Sequence, residues 1–173
     1  MESYLKSSLW RQLGAAIDML ENAIRTCPAE LWQAHVWEEP AGYEGFSDFW
    51  YLAYHCIFWM DYYSSGMPAD FKPPAPYTLS ELDPAGLRPD RVYSPHELLT
   101  YLEYCRQMCK QIIENLSDET AGQLIHHRSG ELPYFELLLD VLRHTQEHGA
   151  QLNLFLGQQK GLAARWVTRS ENL

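Results

Sequence analysis

A chain of 173 residues, of which 46% are apolar, can bury one sizeable hydrophobic core, so we expect a single domain over residues 1–173. Its formal net charge of −10, without any basic stripe, excludes nucleic acid as an expected partner, because an acidic surface repels phosphate backbones. The sequence has no stretch typical of a signal peptide or a membrane span, so we expect a cytoplasmic protein without a membrane partner.

The first predicted helix covers residues 2–26. Its apolar side chains recur every three or four residues, as they do on the buried face of an amphipathic helix. They are Leu5, Leu9, Leu13, Ile17, Leu20 and Ile24. Pro28 ends the helix, because the residue before a proline avoids helical backbone angles. Residues 27–47 are then a connection, since one proline and two glycines near its end disfavour regular structure.

The second predicted helix covers residues 48–65 and is the most aromatic part of the chain. Glycine and proline shortly after residue 65 end it. His55 lies midway along this helix, and the residues one turn before and after it on the same face are Tyr51 and Trp59. A histidine in such apolar surroundings needs a polar partner, which makes it a candidate site residue.

Residues 67–93 form the longest irregular segment and contain six of the ten prolines. The third predicted helix covers residues 95–116. Its start is marked by Ser94, Pro95 and Glu97, which form a capping box with proline at the first helical position. A segment as long as 67–93 can span a whole helical bundle, so we expect a crossover that leaves the second and third helices running in the same direction.

The fourth predicted helix covers residues 133–158 and carries His144 and His148 on its apolar face. The sequence shows no strand pattern that competes with the helices, so the predicted fold class is all-α, a four-helix bundle. His126 and His127 lie in the connection before the fourth helix, where a solvated loop is the default expectation.

The spacing of His144 and His148 favours a metal site. Residues four apart on a helix lie one turn apart on one face, where both rings can reach a single ion. A hydrogen-bonded pair of core histidines is the alternative, and the spacing alone does not decide between the two. His55 is the candidate third ligand, because the middle of one helix in a bundle can meet the middle of its neighbour. Three histidines would leave one side of the metal open, as catalytic sites require.

Four further residues are candidates to orient the histidines or to line a pocket beside them: Asp140, Gln151, Tyr51 and Trp59. Asp140 and Gln151 lie about one turn from the histidines of the fourth helix, so either can hold an imidazole ring in place. The two aromatic residues flank His55 and are candidate pocket walls. Glu147 can act as a general base if it faces the metal, but we favour a solvated position at the edge of the helix.

Two segments carry a family resemblance. The first is Tyr51-Leu-Ala-Tyr-His55-Cys-Ile-Phe, and the second is His144-x-x-x-His148-Gly-Ala-Gln151-Leu. Together with the helix lengths and the long crossover, they resemble the DinB-like superfamily of metalloenzymes over roughly the whole chain through residue 160. The resemblance implies an up-down-down-up bundle, a homodimer, and one divalent transition metal, zinc or nickel, held by the three histidines.

The resemblance also implies a small-molecule partner, because some members of the superfamily are linked to S-transfer chemistry with low-molecular-weight thiols such as bacillithiol or mycothiol. The expected function is therefore a metal-dependent enzyme, with thiol S-transferase activity as the leading candidate. Two alternatives stay open. One is a metal-dependent hydrolase, and the other is a non-catalytic metal-binding or ligand-sensing module in which the metal ties the second helix to the fourth.

Overall fold

The computed structural model describes residues 1–171, and most of them are helical. The long helices are α1 (Ser3–Thr26), α2 (Phe49–Ser64), α3 (Pro95–Asn115) and α5 (Tyr134–Lys160). A short helix, α4 (Asp118–Gly122), follows α3. Two one-turn 3-10 helices cover Ala29–Leu31 and Ser80–Leu82. No helix within residues 1–171 has both the length and the apolar character that a membrane span needs.

A β-hairpin lies between α4 and α5, where the all-α prediction placed a loop. Its strands, β1 (Leu124–His127) and β2 (Gly130–Pro133), pair antiparallel. Each strand has only four residues, and none of them is fully buried. Such short strands show no alternation of apolar and polar residues long enough to be recognised in the sequence. His126 and His127, which we expected in a solvated loop, therefore belong to a strand.

The boundaries of the long helices lie within two residues of the predicted ones. The start of α3 shows why, because its capping box forms as expected. The Ser94 hydroxyl accepts the Glu97 backbone N–H at 3.3 Å, and the Glu97 carboxylate accepts the Ser94 backbone N–H at 2.8 Å. These bonds satisfy backbone donors that have no partner within the helix. At the other end of the chain, Gly161 ends α5 in a left-handed conformation, with φ at 70°.

The long helices share one hydrophobic core, and α2 is its most buried part. Helix α2 packs against α3 and α5, and α1 packs against the same two helices. The aromatic side chains of α2 that are almost fully buried are Phe49, Trp50, Tyr54 and Phe58. Because α2 is apolar around nearly its whole circumference, a polar side chain such as His55 depends on partners that other elements supply.

The connection between α2 and α3, residues 67–93, keeps the name crossover from the sequence prediction and is held onto the helices by tyrosines. The Tyr54 hydroxyl of α2 donates to the Thr78 carbonyl at 3.0 Å. The Tyr77 ring stacks on the Tyr101 ring of α3 with centroids 4.1 Å apart. These contacts fix the crossover around its 3-10 helix, Ser80–Leu82, and so bring Glu81 against α2 near His55.

Candidate metal site

Three histidine side chains from two helices meet in a half-buried position. His55 comes from the middle of α2, and His144 and His148 come from consecutive turns of α5. Nε2 of His144 lies 3.3 Å from Nε2 of His55 and 3.1 Å from Nε2 of His148. Nitrogen ligands about 2.0–2.1 Å from a tetrahedral ion lie about 3.3 Å from one another. These two distances match those between ligands of one ion, and the ligand atoms of all three histidines lie within 4.8 Å of one another, so the group could hold a metal.

The outer nitrogens of two of these histidines have hydrogen-bond partners. Nδ1 of His55 lies 2.8 Å from Oε2 of Glu81, and Nδ1 of His148 lies 2.8 Å from Oε1 of Gln151. An ionised carboxylate only accepts, so this network assigns the proton of His55 to Nδ1. The amide oxygen of Gln151 gives the same assignment for His148. Both Nε2 lone pairs then point toward His144, whose single Nε2–H could satisfy only one of them. A cation among the three nitrogens satisfies all three lone pairs.

Burial keeps the histidines of α5 neutral. Desolvation, together with the charges that His148 and His55 would carry, lowers the pKa of His144 to about 3. Desolvation also lowers the pKa of His148, and His55 adds to this effect. Neutral imidazoles are the form that binds metal, so at neutral pH no proton needs to leave these two side chains when an ion enters.

Glu81 was not among the sequence-predicted site residues, yet it is the carboxylate that the structure places beside the histidines. Its Oε2 atom also accepts the indole N–H of Trp59 at 2.9 Å. Burial raises the pKa of Glu81, but the hydrogen bond with His55, the charge that His55 would carry when protonated, and hydrogen bonds from Tyr51 and Trp59 together lower it overall. Glu81 therefore remains ionised at neutral pH, which makes it a strong acceptor for His55. It lies 26 residues after His55, in a segment without periodicity, so no spacing rule points to it.

Three of the four predicted neighbours of the histidines lie where the sequence placed them, and Asp140 does not. Gln151 lies at Nδ1 of His148, as the sequence suggested. Asp140, which we expected to orient His144, instead pairs with Arg143 at 3.3 Å, and no hydrogen bond joins Asp140 to His144 in the described part of the chain. The rings of Tyr51 and Trp59 lie 6.3 Å and 6.2 Å from the ring of His55, on the two sides that the helical spacing predicted.

Two cavities adjoin the histidines, and His55 lines both. The polar cavity has a volume of about 320 Å³, and its other lining residues are Trp59, Tyr63, Arg128, Asp140, Arg143, His144 and Glu147. The apolar cavity has a volume of about 350 Å³, and its other lining residues are Trp37, Phe46, Tyr51, Leu52, Ser80, Glu81, Gly86, Leu87 and His148. The histidines of α5 are thus divided between the two cavities.

A second cluster, His35, Glu39 and Asp48, also brings three metal-binding side chains together. Its carboxylates already have other partners. Glu39 accepts backbone N–H groups of the loop before α2, and Asp48 pairs with Arg88 at 2.9 Å. These bonds fold the connection between α1 and α2, and the adjacent guanidinium repels a cation. We therefore assign this cluster a structural role.

Comparison with known proteins supports the same family as the sequence motifs. The match to the DinB superfamily covers residues 12–152, well over half of the chain, and includes His55, His144 and His148. No curated protein and no solved structure matches the chain. Since the family match spans the region from α1 to the histidines of α5, the chain belongs to the DinB superfamily.

Proposed function

We propose that the protein is a metal-dependent S-transferase, which activates a low-molecular-weight thiol and transfers its sulfur to a carbon electrophile. The observation that carries this proposal is the convergence of three histidine nitrogens next to two cavities. Two of the three rings are also held by hydrogen bonds at their Nδ1 atoms. A zinc- or nickel-type ion held by neutral imidazoles keeps its full charge, so it would lower the pKa of a bound thiol and favour the thiolate.

The surroundings of the histidines favour an enzyme over a purely structural metal site. Structural zinc sites are closed by four protein ligands. Among residues 1–171, no fourth histidine, cysteine or carboxylate joins the group formed by His55, His144 and His148. Small molecules can therefore approach the histidines from the cavities, while Glu81 and Gln151 keep the rings in place.

The polar cavity suits the thiol. Arg128 lines it and has no ion pair or hydrogen bond within residues 1–171, so its guanidinium can bind a carboxylate of the thiol. Glu147 lines the same cavity, and its carboxylate can accept the thiol proton. The sulfur then forms a bond to the electrophilic carbon with its own electron pair. The leaving group departs with the electrons of the broken bond and takes up a proton.

We also infer that the long helices follow the up-down-down-up order. Tyr93, just before α3, packs on Tyr54 in the first half of α2, with ring centroids 5.0 Å apart. Cys109, late in α3, lies 3.3 Å from Ser64 at the end of α2, so these helices run in the same direction. Tyr134, the first residue of α5, donates to the Ser64 carbonyl, so α5 runs opposite to α2.

Helix α1 completes this order. The Lys6 ammonium near its start donates to the Glu114 carbonyl at the end of α3 at 2.9 Å. Asp18, further along α1, pairs with Arg106 in the middle of α3 at 2.5 Å. Helix α1 therefore runs opposite to α3, and the crossover joins two parallel helices. This arrangement places the middle of α2 beside the middle of α5, where the histidines meet.

Metal analysis and thiol titration test the proposed activity. We expect about one zinc or nickel ion per chain, and we expect the cobalt-substituted protein to develop intense sulfur-to-cobalt absorption in the near ultraviolet. The titrants are bacillithiol, mycothiol, glutathione and cysteine, and the band should be lost in His148→Ala. A protein that holds exchangeable metal and shows no band with any of these thiols would rule out thiol activation. Hydrolysis would then be the next candidate, supported by Glu147 in the polar cavity.

A further inference from the structure

We propose that the apolar cavity binds the second substrate, an electrophile with an aromatic or branched aliphatic body of one or two rings. The catalytic meaning of this inference rests on the proposed S-transfer, but the binding itself does not. The volume of about 350 Å³ lies near the lower end of the range of about 300–1,000 Å³ that is usual for small-molecule sites. Such a cavity suits a compact molecule.

The wall of the cavity is apolar and comes from three separate segments. Trp37 and Phe46 belong to the connection before α2, Tyr51 and Leu52 belong to α2, and Leu87 belongs to the crossover. Trp37 is 43% exposed and Leu87 is 53% exposed, so two large apolar side chains at this concave surface remain in contact with water. Covering them with an apolar ligand releases that water and stabilises the complex.

The side chains lining the cavity that can carry a charge near neutral pH are those of the histidine site. They are His55, Glu81 and His148, and the remaining lining residues carry no charge. A ligand therefore gains most when its apolar body lies against Trp37 and Leu87 and its polar, reactive atom faces His55 and His148. This orientation directs the electrophilic end of the ligand toward the place where the thiol sulfur is proposed to sit.

The contrast with the polar cavity assigns the two substrates to different places. Four charged side chains line the polar cavity, namely Arg128, Asp140, Arg143 and Glu147, whereas the walls of the apolar cavity present aromatic and aliphatic carbon. A hydrophilic thiol would lose hydration in the apolar cavity without gaining hydrogen bonds. A hydrophobic electrophile would leave the charged groups of the polar cavity without solvent. Separate cavities also let both substrates reach the histidines at the same time.

Binding of unreactive aromatic probes tests the inference with the full chain. The probes are indole and 2-naphthylmethanol, titrated calorimetrically with and without added zinc, and inositol serves as a polar control. We expect both aromatic probes to bind and inositol not to bind. In Leu87→Glu, a charge on the cavity wall should weaken binding at least tenfold. The matched control is Leu154→Glu, since Leu154 is 62% exposed on α5 and lies outside the cavity. The affinity of this control should equal that of the original chain.

A nuclear magnetic resonance signal from the cavity itself tests binding in the original chain, so the result does not depend on whether a variant folds. The indole N–H resonance of Trp37, identified by its loss in Trp37→Phe, should shift when either probe binds. Absence of binding, an unmoved Trp37 signal, or equal weakening in Leu154→Glu would overturn the inference. The inference would also be overturned if the Trp37 resonance shifts with protein concentration alone and Leu87→Glu abolishes a dimer. The cavity would then be an interface between two copies of the chain. If the probes bind but no thiol produces the sulfur-to-cobalt absorption, the apolar binding site is confirmed and the proposed S-transfer is wrong.

Discussion

Glu81 accepts a hydrogen bond from Nδ1 of His55 at 2.8 Å, although the two residues lie 26 positions apart on different elements. The same carboxylate oxygen accepts the indole N–H of Trp59 at 2.9 Å, one turn further along α2. The crossover thus supplies the acceptor that fixes the His55 ring, and two side chains of α2 hold that acceptor in turn. Each of these contacts can be tested through the affinity of the site for metal.

Replacing Glu81 should weaken metal binding without removing a ligand. In Glu81→Gln, a neutral amide replaces the carboxylate, so the acceptor for His55 is weaker and the ring is held less firmly. We expect metal affinity to fall by about 10–100-fold, as measured by competition with a chromogenic chelator. Asp140→Asn is the matched control, because Asp140 lines the polar cavity but pairs with Arg143. Equal losses in both variants would show that Glu81 has no special role.

Removal of any one of the three histidines should deplete the metal. His55→Ala, His144→Ala and His148→Ala each take away one nitrogen ligand, and two imidazoles hold a divalent ion much less tightly than three. Elemental analysis of the purified variants should show a strong fall from about one ion per chain. His35→Ala, from the second cluster, should retain its metal. Full retention of metal in His55→Ala would mean that α2 does not supply the third ligand.

Arg128 should discriminate between thiols by charge. In Arg128→Gln, the affinity of the cobalt-substituted protein for 3-mercaptopropionate should fall about 5–10-fold, because a charge-assisted hydrogen bond to the carboxylate is lost. The affinity for 2-mercaptoethanol, which has no carboxylate, should hardly change. Arg165→Gln serves as a control, since Arg165 is exposed and lies outside the polar cavity. If both thiols weaken to the same extent, Arg128 does not contact the carboxylate.

Asp61 should make stability depend on pH. It is 2% exposed, and burial raises its pKa to about 6, although the Tyr101 hydroxyl donates to it at 2.8 Å and opposes this rise. The unfolded chain releases the same proton near pH 3.9, so the folded state binds more protons between about pH 4 and pH 6. The contribution of Asp61 to stability therefore falls as pH rises through this window, by up to roughly 3 kcal/mol.

Asp61→Asn removes this titration and keeps an oxygen that can accept from Tyr101. Urea unfolding should show the variant gaining stability relative to the original chain as pH rises from 4 to 7. The comparison cancels pH effects that both proteins share, including release of metal from the histidines. A constant difference between Asp61→Asn and the original chain over this pH range would mean that the Asp61 carboxyl has an ordinary pKa in the folded protein.

Local signals account for what could be predicted from the sequence. The long helices follow from apolar side chains at three- and four-residue spacing and from caps such as Ser94 with Glu97, all within a few positions of one another. The meeting of His144 and His148 follows from helix geometry in the same way. The hairpin and Glu81 could not be predicted, because two four-residue strands have no detectable period and Glu81 acts through a contact across 26 residues.

Two expectations stay predictions. A homodimer rests on the family resemblance, and sedimentation at high protein concentration tests it, since a purely monomeric protein would contradict it. A cytoplasmic location rests on the composition, and fractionation of the native cells tests it. Neither expectation enters the argument for the three histidines, which depends on contacts within one chain.

Order in the crossover would be thermodynamically linked to metal binding by the histidines, because the crossover carries Glu81, the partner of His55. Opening of the crossover withdraws Glu81 from His55, so an ion that binds the closed form more tightly shifts the equilibrium toward closure. The amide of Leu82, bonded to the Leu79 carbonyl at 3.0 Å, reports on that opening. Its exchange with deuterium should slow when zinc is added and accelerate under chelation. The order of this proline-rich segment would then depend on the concentration of metal.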